Sequence, residues 1–352
     1  MRIPYSLLLA LGTAGVVLLL MPLVMRLARR VGAIDEPGPR RVHSAAIPTM
    51  GGLAMAIAVL AVAWIARALP GPAGLLEARP LVGLTLASIP VLMLGMMDDT
   101  RGVSPGVKLA IQACAALVLS LFGYGIPLLT NPFGGTIASG WLNLPLTVLW
   151  VLAVINAINL IDGMDGLAAG VVLIASGTLW VLGRTHGDLY VMFTSSLLIG
   201  ATLGFLRFNF PPARVFMGDT GSHFLGLALA AVSLLENRKG TATVTLLFPL
   251  VALSVPMADS AFTFLRRLKR GQPVFAADSA HVHHRLLQLG LGPRRTLYVL
   301  WSVSALCGAL AILLATVPRT FAIVATAALA LALFVGIHLT GDRRRGEPDA
   351  RR

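Results

Sequence analysis

Charge is what this chain lacks. Of its 352 residues 12% are charged and 57% hydrophobic, and its mean hydropathy is +0.83. A water-soluble fold of this size carries about twice that charge, which points to a polytopic membrane protein. No polar stretch exceeds roughly 30 residues, so no soluble domain is expected. A phosphate loop of the G-x-x-x-x-G-K-[ST] kind is missing, as is any strand pattern to hold a dinucleotide fold, which argues against P-loop nucleotide hydrolysis. There is no convincing repeat and no low-complexity tract. The two cysteines, Cys114 and Cys307, lie in apolar stretches where a thiol acts as a small hydrophobe, and they carry no information about redox compartment.

What is present is a series of apolar stretches of spanning length, about 20 residues each. They fall near 5–25, 51–69, 80–97, 107–126, 141–161, 166–183, 188–206, 221–236, 243–265, 297–317 and 320–340. The expected fold is therefore all-α, with about 11 transmembrane helices in one catalytic domain over 1–342 and a basic tail over 343–352. The first stretch is no cleaved signal, because Arg26, Arg29 and Arg30 follow it instead of preceding it. Pro37-Gly38-Pro39, Pro70-Gly71-Pro72 and Asn131-Pro-Phe-Gly-Gly135 mark loops, and Thr136 to Leu144 is expected to form a short extracytoplasmic hairpin.

The net charge of +13 raises the question of nucleic acid. With the N-terminus outside, however, 21 of the 28 basic residues fall in inward-facing connections and the C-terminal tail, so the positive-inside rule accounts for most of the basicity. No nucleic-acid partner is expected. Arg343–Arg345 reads as a stop anchor near anionic lipid. The chain is placed in a bacterial cytoplasmic membrane, N-terminus out and C-terminus in.

Under this topology the unusual polar residues gather on the cytoplasmic side. Asp98 and Asp99 end the third stretch; Asn156, Asn159, Asp162 and Asp165 join the fifth and sixth; Asn209 to Ser222 joins the seventh and eighth; His281-Val-His-His-Arg285 follows the ninth. The orientation came from Lys and Arg alone, so the agreement is independent support for one site. An ionised Asp at a membrane helix centre costs about 2.5–3.5 kcal/mol on insertion scales. Adjacent carboxylates about 4 Å apart repel by roughly 4 kcal/mol at an effective dielectric near 20. A divalent ion, a lysine or a shared proton must relieve that, and Lys108 lies about two turns on. Oxygen-only candidates among Asp98, Asp99, Asp162, Asp165 and Asp219 favour magnesium. Zinc through His281, His283 and His284 fits less well, with no cysteine nearby. Phe216-Met-Gly-Asp-Thr-Gly-Ser222 leads into a helix whose backbone N–H groups suit a phosphate or an ordinary cap. Asp259, about two turns inside the ninth stretch from Arg266, reads as a structural polar group facing the bundle.

Five motifs in order then resemble the polyprenyl-phosphate N-acetylhexosamine-1-phosphate transferases, the superfamily of WecA, TagO and MraY. They are Asp35-Glu-Pro-Gly-Pro-Arg-Arg-Val-His43 with Pro48-Thr-Met-Gly-Gly52; Asp98-Asp99 with Ser104-Pro-Gly-Val-Lys-Leu-Ala-Ile-Gln112; Asn159 to Leu167; Asn209 to Ser222; and His281 to Leu287. The resemblance implies transfer of a sugar 1-phosphate, most often GlcNAc-1-phosphate, from a UDP-N-acetylhexosamine to undecaprenyl phosphate with release of UMP. It implies Asp219 as the magnesium ligand, with Asp99 and Asp162 as further candidates, and it admits manganese in magnesium's place. Phe216 and Asp165 look like uracil contacts, and Asn159, Asp162 and Asn209 look like the lining of the nucleotide site. Asp98 resembles the carboxylate proposed to deprotonate the lipid phosphate, with Asp99 and Lys108 beside it. Direct attack and a two-step route through an enzyme carboxylate both stay open. Arg41, His43, His281, His283, His284 and Arg285 are the remaining substrate-binding candidates, and a homodimer is admitted.

The histidine run and Arg40-Arg41-Val-His43 resemble the WecA/TagO branch more than the MraY branch. Arg41, Ala46 and Ala277-Asp278-Ser279 depart from common relatives, which touches loop detail and sugar choice. Three rival readings fit the sequence less well. The MraY reaction on UDP-MurNAc-pentapeptide differs in sugar. A UbiA-like prenyltransferase leaves Phe216 to Asp219 and the histidines unexplained. A secondary transporter would hold its charges near the bilayer midplane between related halves.

Overall fold

The computed structural model describes residues 3–36, 46–130, 136–236, 286–287 and 290–315, with positions 321, 324 and 328. Arg41, His43, Asp259, His281, His283, His284, Arg285, the ninth apolar stretch and the C-terminal tail lie outside the described residues.

Nine α-helices are described: α1 (Ile3–Val31), α2 (Gly51–Ala68), α3 (Ala78–Arg101), α4 (Pro105–Leu121), α5 (Asn143–Ile161), α6 (Leu167–Thr185), α7 (Leu189–Asn209), α8 (Gly218–Glu236) and α9 (Pro293–Leu314). Seven helical segments among the described residues are long and apolar enough to cross a bilayer, and α4 is a shorter apolar helix. The protein is therefore an all-α polytopic membrane protein. Leu8, Leu19, Leu121, Leu149 and Leu306 are exposed along the outside of the bundle, the surface that hydrocarbon covers in a membrane.

The core is built around α8. Beyond its first turn this helix is apolar except for Ser222, His223, Ser233 and Glu236, which fits a helix enclosed by others. From Thr220 to Leu235 its side chains are buried. It packs against α3, α5 and α2, while α7 packs against α1 and α6. Small residues permit these approaches. A Cβ on Gly52 would meet the backbone of Gly221, one on Gly95 the backbone of Thr220, and one on Gly226 would lie 2.6 Å from Ile155 Cα.

Two short antiparallel ribbons complete the fold: β1 (Ile34–Asp35) with β2 (Ile47–Pro48), and β3 (Leu128–Thr130) with β4 (Thr136–Ala138). The second differs from the hairpin expected over Thr136 to Leu144. Thr136–Ala138 pairs backwards with Leu128–Thr130, whereas 140–142 is a 3-10 turn and Asn143 already begins α5. The reason is local. Ser139 N–H and Oγ donate to the Pro127 and Ile126 carbonyls, and the Ile126 N–H donates to Asn143 Oδ1, so the polar groups after β4 close the turn instead of extending a strand.

Candidate functional site

Alternating helix directions bring the C-terminal ends of α3, α5 and α7 to the same end of the bundle as the N-terminal ends of α4, α6 and α8. That end holds every acidic cluster within the described residues that the sequence singled out.

At its centre Lys108 joins two carboxylates from different helices. Nζ lies 2.7 Å from Asp98 Oδ2 and 2.6 Å from Asp219 Oδ2, and all three side chains are about one-fifth exposed. An ammonium has three donors, so one N–H is left for an incoming oxygen. Asn159, two residues before the end of α5, donates from Nδ2 to Asp219 Oδ1 at 2.9 Å and to Ser222 Oγ at 2.9 Å. Four helices, α3, α4, α5 and α8, thus converge on Asp219.

The adjacent carboxylates Asp98 and Asp99 are put to different uses. Asp98 Oδ1 accepts from the Val103 N–H at 2.7 Å, while Oδ2 takes Lys108. Asp99 turns the other way and caps α8. Its Oδ1 accepts from the Asp219 N–H at 2.7 Å, and its Oδ2 accepts from Thr220 Oγ1 at 2.6 Å and the Thr220 N–H at 3.2 Å. The first turn of α8 has unpaired N–H groups and a positive dipole end, so a carboxylate there satisfies both. Gly218 makes room: its φ is +70°, and a Cβ would run into the Asp99 carboxyl.

The connection between α5 and α6 carries Asp162 and Asp165. Asp165 Oδ2 accepts from the Ala213 N–H at 2.9 Å. Asn209 is 3% exposed; its Oδ1 accepts from the Gly166 N–H and its Nδ2 donates to the Val215 carbonyl, both at 2.9 Å. These bonds tie the α5–α6 turn to the loop between α7 and α8. Arg294, from α9, donates to the Pro211 carbonyl, next to the cis Pro211–Pro212 bond. Phe216 is half-buried in the same loop, which the Pro48–Gly52 segment holds in place: Phe216 N–H donates to Pro48, and Gly51 and Gly52 N–H donate to Phe216 and Met217. Two motifs far apart in sequence are therefore hydrogen-bonded neighbours.

The Asp162 N–H donates to the Asn159 carbonyl at 3.2 Å, but its carboxylate, half-buried just beyond the end of α5, has no hydrogen-bond partner among the described residues. Desolvation, followed by the negative fields of Asp219, Asp99 and Asp165, pushes its carboxyl well above the usual carboxylate range. Two groups escaped the sequence reading, and Thr220 enters it only as a candidate helix cap. Thr220 bonds Asp99; Gln112, buried in α4, accepts from Asn156 Nδ2 at 2.8 Å; and His223 stands one turn behind Asp219. The i,i+4 spacings from Lys108 to Gln112 and from Asp219 to His223 were the available signal for the last two.

Among the described residues no three histidine, cysteine, aspartate or glutamate groups converge as a metal cage. Magnesium does not need one, since it is held by one or two carboxylates with substrate phosphates completing the shell. The unpartnered Asp162 carboxylate, in the field of three others, suits such an ion.

The fold and site define a membrane-embedded enzyme with carboxylates, amides and a lysine gathered at one end of a helix bundle. A family model described as glycosyl transferase family 4 matches residues 81–237. The chain is 36% identical to a probable undecaprenyl-phosphate N-acetylglucosaminyl 1-phosphate transferase of Bacillus subtilis, over 85% of this chain and 82% of that protein. It is 36% identical to a decaprenyl-phosphate N-acetylglucosaminephosphotransferase of Mycobacterium leprae, over 79% and 76%. It is likewise 36% identical to a phospho-N-acetylmuramoyl-pentapeptide-transferase of a Synechococcus strain, over 78% and 81%. The chain belongs to the polyprenyl-phosphate N-acetylhexosamine-1-phosphate transferase superfamily and is a phosphoglycosyltransferase.

Proposed function

We propose that the protein transfers N-acetylglucosamine 1-phosphate from UDP-GlcNAc to undecaprenyl phosphate. An oxygen of the lipid phosphate forms a bond to the phosphorus that bears the sugar. The bond from that phosphorus to the bridging oxygen breaks, and UMP leaves with that oxygen's electron pair.

The observation that carries this reading is the Asp98–Lys108–Asp219 bridge at the bundle end. Phosphoryl transfer asks little of a protein beyond positioning and charge stabilisation, and the bridge offers both. Lys108 turns out of the bridge toward a phosphate oxygen, leading with its open N–H. Asp98, freed as Lys108 turns, accepts the lipid phosphate's remaining proton. Asp99 acts through α8, fixing the direction of Asp219. Asp219 and Asp162 would hold magnesium, with manganese as a substitute. When bound, it neutralises charge on the diphosphate. Asn159 aims Asp219. Asp165 and Phe216 line the uracil side, and Asn209 shapes that side from beneath. His43, Arg41 and the run from His281 to Arg285 complete the donor site, with Arg285 able to hold phosphate oxygens bidentately.

The cytoplasmic face is the working face on this reading. Arg26, Arg29 and Arg30 end α1 at the site's end of the bundle, and Arg101, Arg207, Arg294 and Arg295 lie there too, as the positive-inside rule requires. The choice of GlcNAc over MurNAc-pentapeptide is supported by the histidine run and by the larger share of the chain matched by the Bacillus subtilis relative. The test is UMP release by purified protein given undecaprenyl phosphate, magnesium and separate UDP-sugars. UDP-GlcNAc should serve best. Release from UDP-MurNAc-pentapeptide alone would move the enzyme to the MraY reaction, and no release with any sugar would overturn the transferase reading.

A further inference from the structure

Among the described residues, His223 is a titratable group beside Asp219 that the proposed chemistry does not use. It lies one turn along α8, its side chain 1% exposed, with Nε2 3.6 Å from Asp219 Oδ2. Neither ring nitrogen has a hydrogen-bond partner among the described residues. Phe224, Leu225 and Leu227, which follow His223 on the same helix, are apolar and fully buried. A leucine would fill such a place without leaving polar atoms unpaired, which is the costly condition for a buried imidazole.

The gap has a cause in the geometry. Asp219 Oδ2 is already held by Lys108 at 2.6 Å, and Oδ1 by Asn159 at 2.9 Å. If Lys108 turns to a phosphate, Oδ2 loses its ammonium donor, and an ion held at Asp219 would supply no N–H in its place. Closing 3.6 Å to hydrogen-bond length asks for a shift of about 0.6 Å, small enough for a side chain to make within its rotamer.

We infer that His223 is a positioning residue that takes hold of Asp219 Oδ2 through Nε2–H whenever Lys108 leaves it for substrate. The carboxylate then keeps its direction through the catalytic cycle, held alternately by an ammonium and an imidazole. This rests on the proposed role of Lys108, so the test has one arm that needs no substrate.

In that arm, melting temperatures are measured in detergent for the wild type, Lys108→Met, His223→Leu and the double variant. In the presence of Lys108, His223→Leu should leave the melting temperature unchanged or raised, since it removes two unpaired nitrogens. In the Lys108→Met background the same change should lower it, because the imidazole is then the holder of Oδ2. Additive effects would overturn the inference. In the second arm, His223→Leu should lower kcat about 10-fold or more, the loss of a hydrogen bond to a charged group, with little change in the lipid-phosphate KM. His223→Gln, which restores an N–H donor, should recover most of it. Leucine activity within two-fold of wild type, or no recovery with glutamine, would overturn it. A wild type that releases no UMP would instead defeat the functional reading and leave the thermal coupling to decide this one.

Discussion

Asp98 and Asp99 are chemically identical neighbours, yet the structure gives them separable effects. Asp99→Asn keeps the shape but removes the charge facing the first turn of α8 and turns an acceptor into a donor opposite the N–H groups of Asp219 or Thr220. Loss of the charge at a partly buried helix start costs about 1 kcal/mol, and an amide donor facing a backbone donor about 1–3 kcal/mol more. Together these come to about 2–4 kcal/mol. At about 2.1 cal/mol/K per residue this lowers the melting temperature of a chain this long by about 3–5 °C. Asp98→Asn keeps an acceptor for Val103 and loses one partner of a lysine that retains Asp219, so its melting temperature should stay within about 1 °C. Turnover should fall by orders of magnitude in both. The assay is a thermal melt in detergent beside UMP release. Equal losses of melting temperature in the two variants would refute the division of labour.

Asp219→Asn should abolish turnover while the protein stays folded, and excess EDTA should do the same to the wild type; full activity in either would remove Asp219 from the metal site. Because the Asp162 carboxyl is held above its usual range, the folded state binds a proton that the unfolded chain has already released. Stability should therefore fall as pH rises from the ordinary carboxylate range through the raised one. Magnesium should flatten that fall, and a melting temperature equally steep in pH with and without the ion would count against Asp162 as a ligand. Gly52→Ala should destabilise strongly by forcing α2 off α8 at Gly221, and normal melting would show that the contact yields cheaply.

Hydropathy marked the segments that become α1 to α9, because a helix that faces lipid or is buried in the bundle is built mostly of apolar residues, although α4 and α8 are not among the seven of spanning length and hydropathy. It also made the acidic residues legible, since a carboxylate in so apolar a chain is costly enough to need a reason. Composition could not distinguish Asp98 from Asp99. The difference depends on which one meets the start of α8, some 120 residues later, and only packing decides that. The same holds for Asn209, whose amide is spent on Gly166 and Val215, and for His223, an ordinary helix residue until its helix is enclosed. The hairpin shows the limit locally: Thr136 to Ala138 reads as strand, but its partner was set by which side chains closed the turn at Ser139. Sequence determined which segments are buried in the membrane and which residue types carry chemistry. Tertiary structure decided which atom of each carboxylate meets which donor, because hydrogen bonds are directional and hydrophobic burial is not.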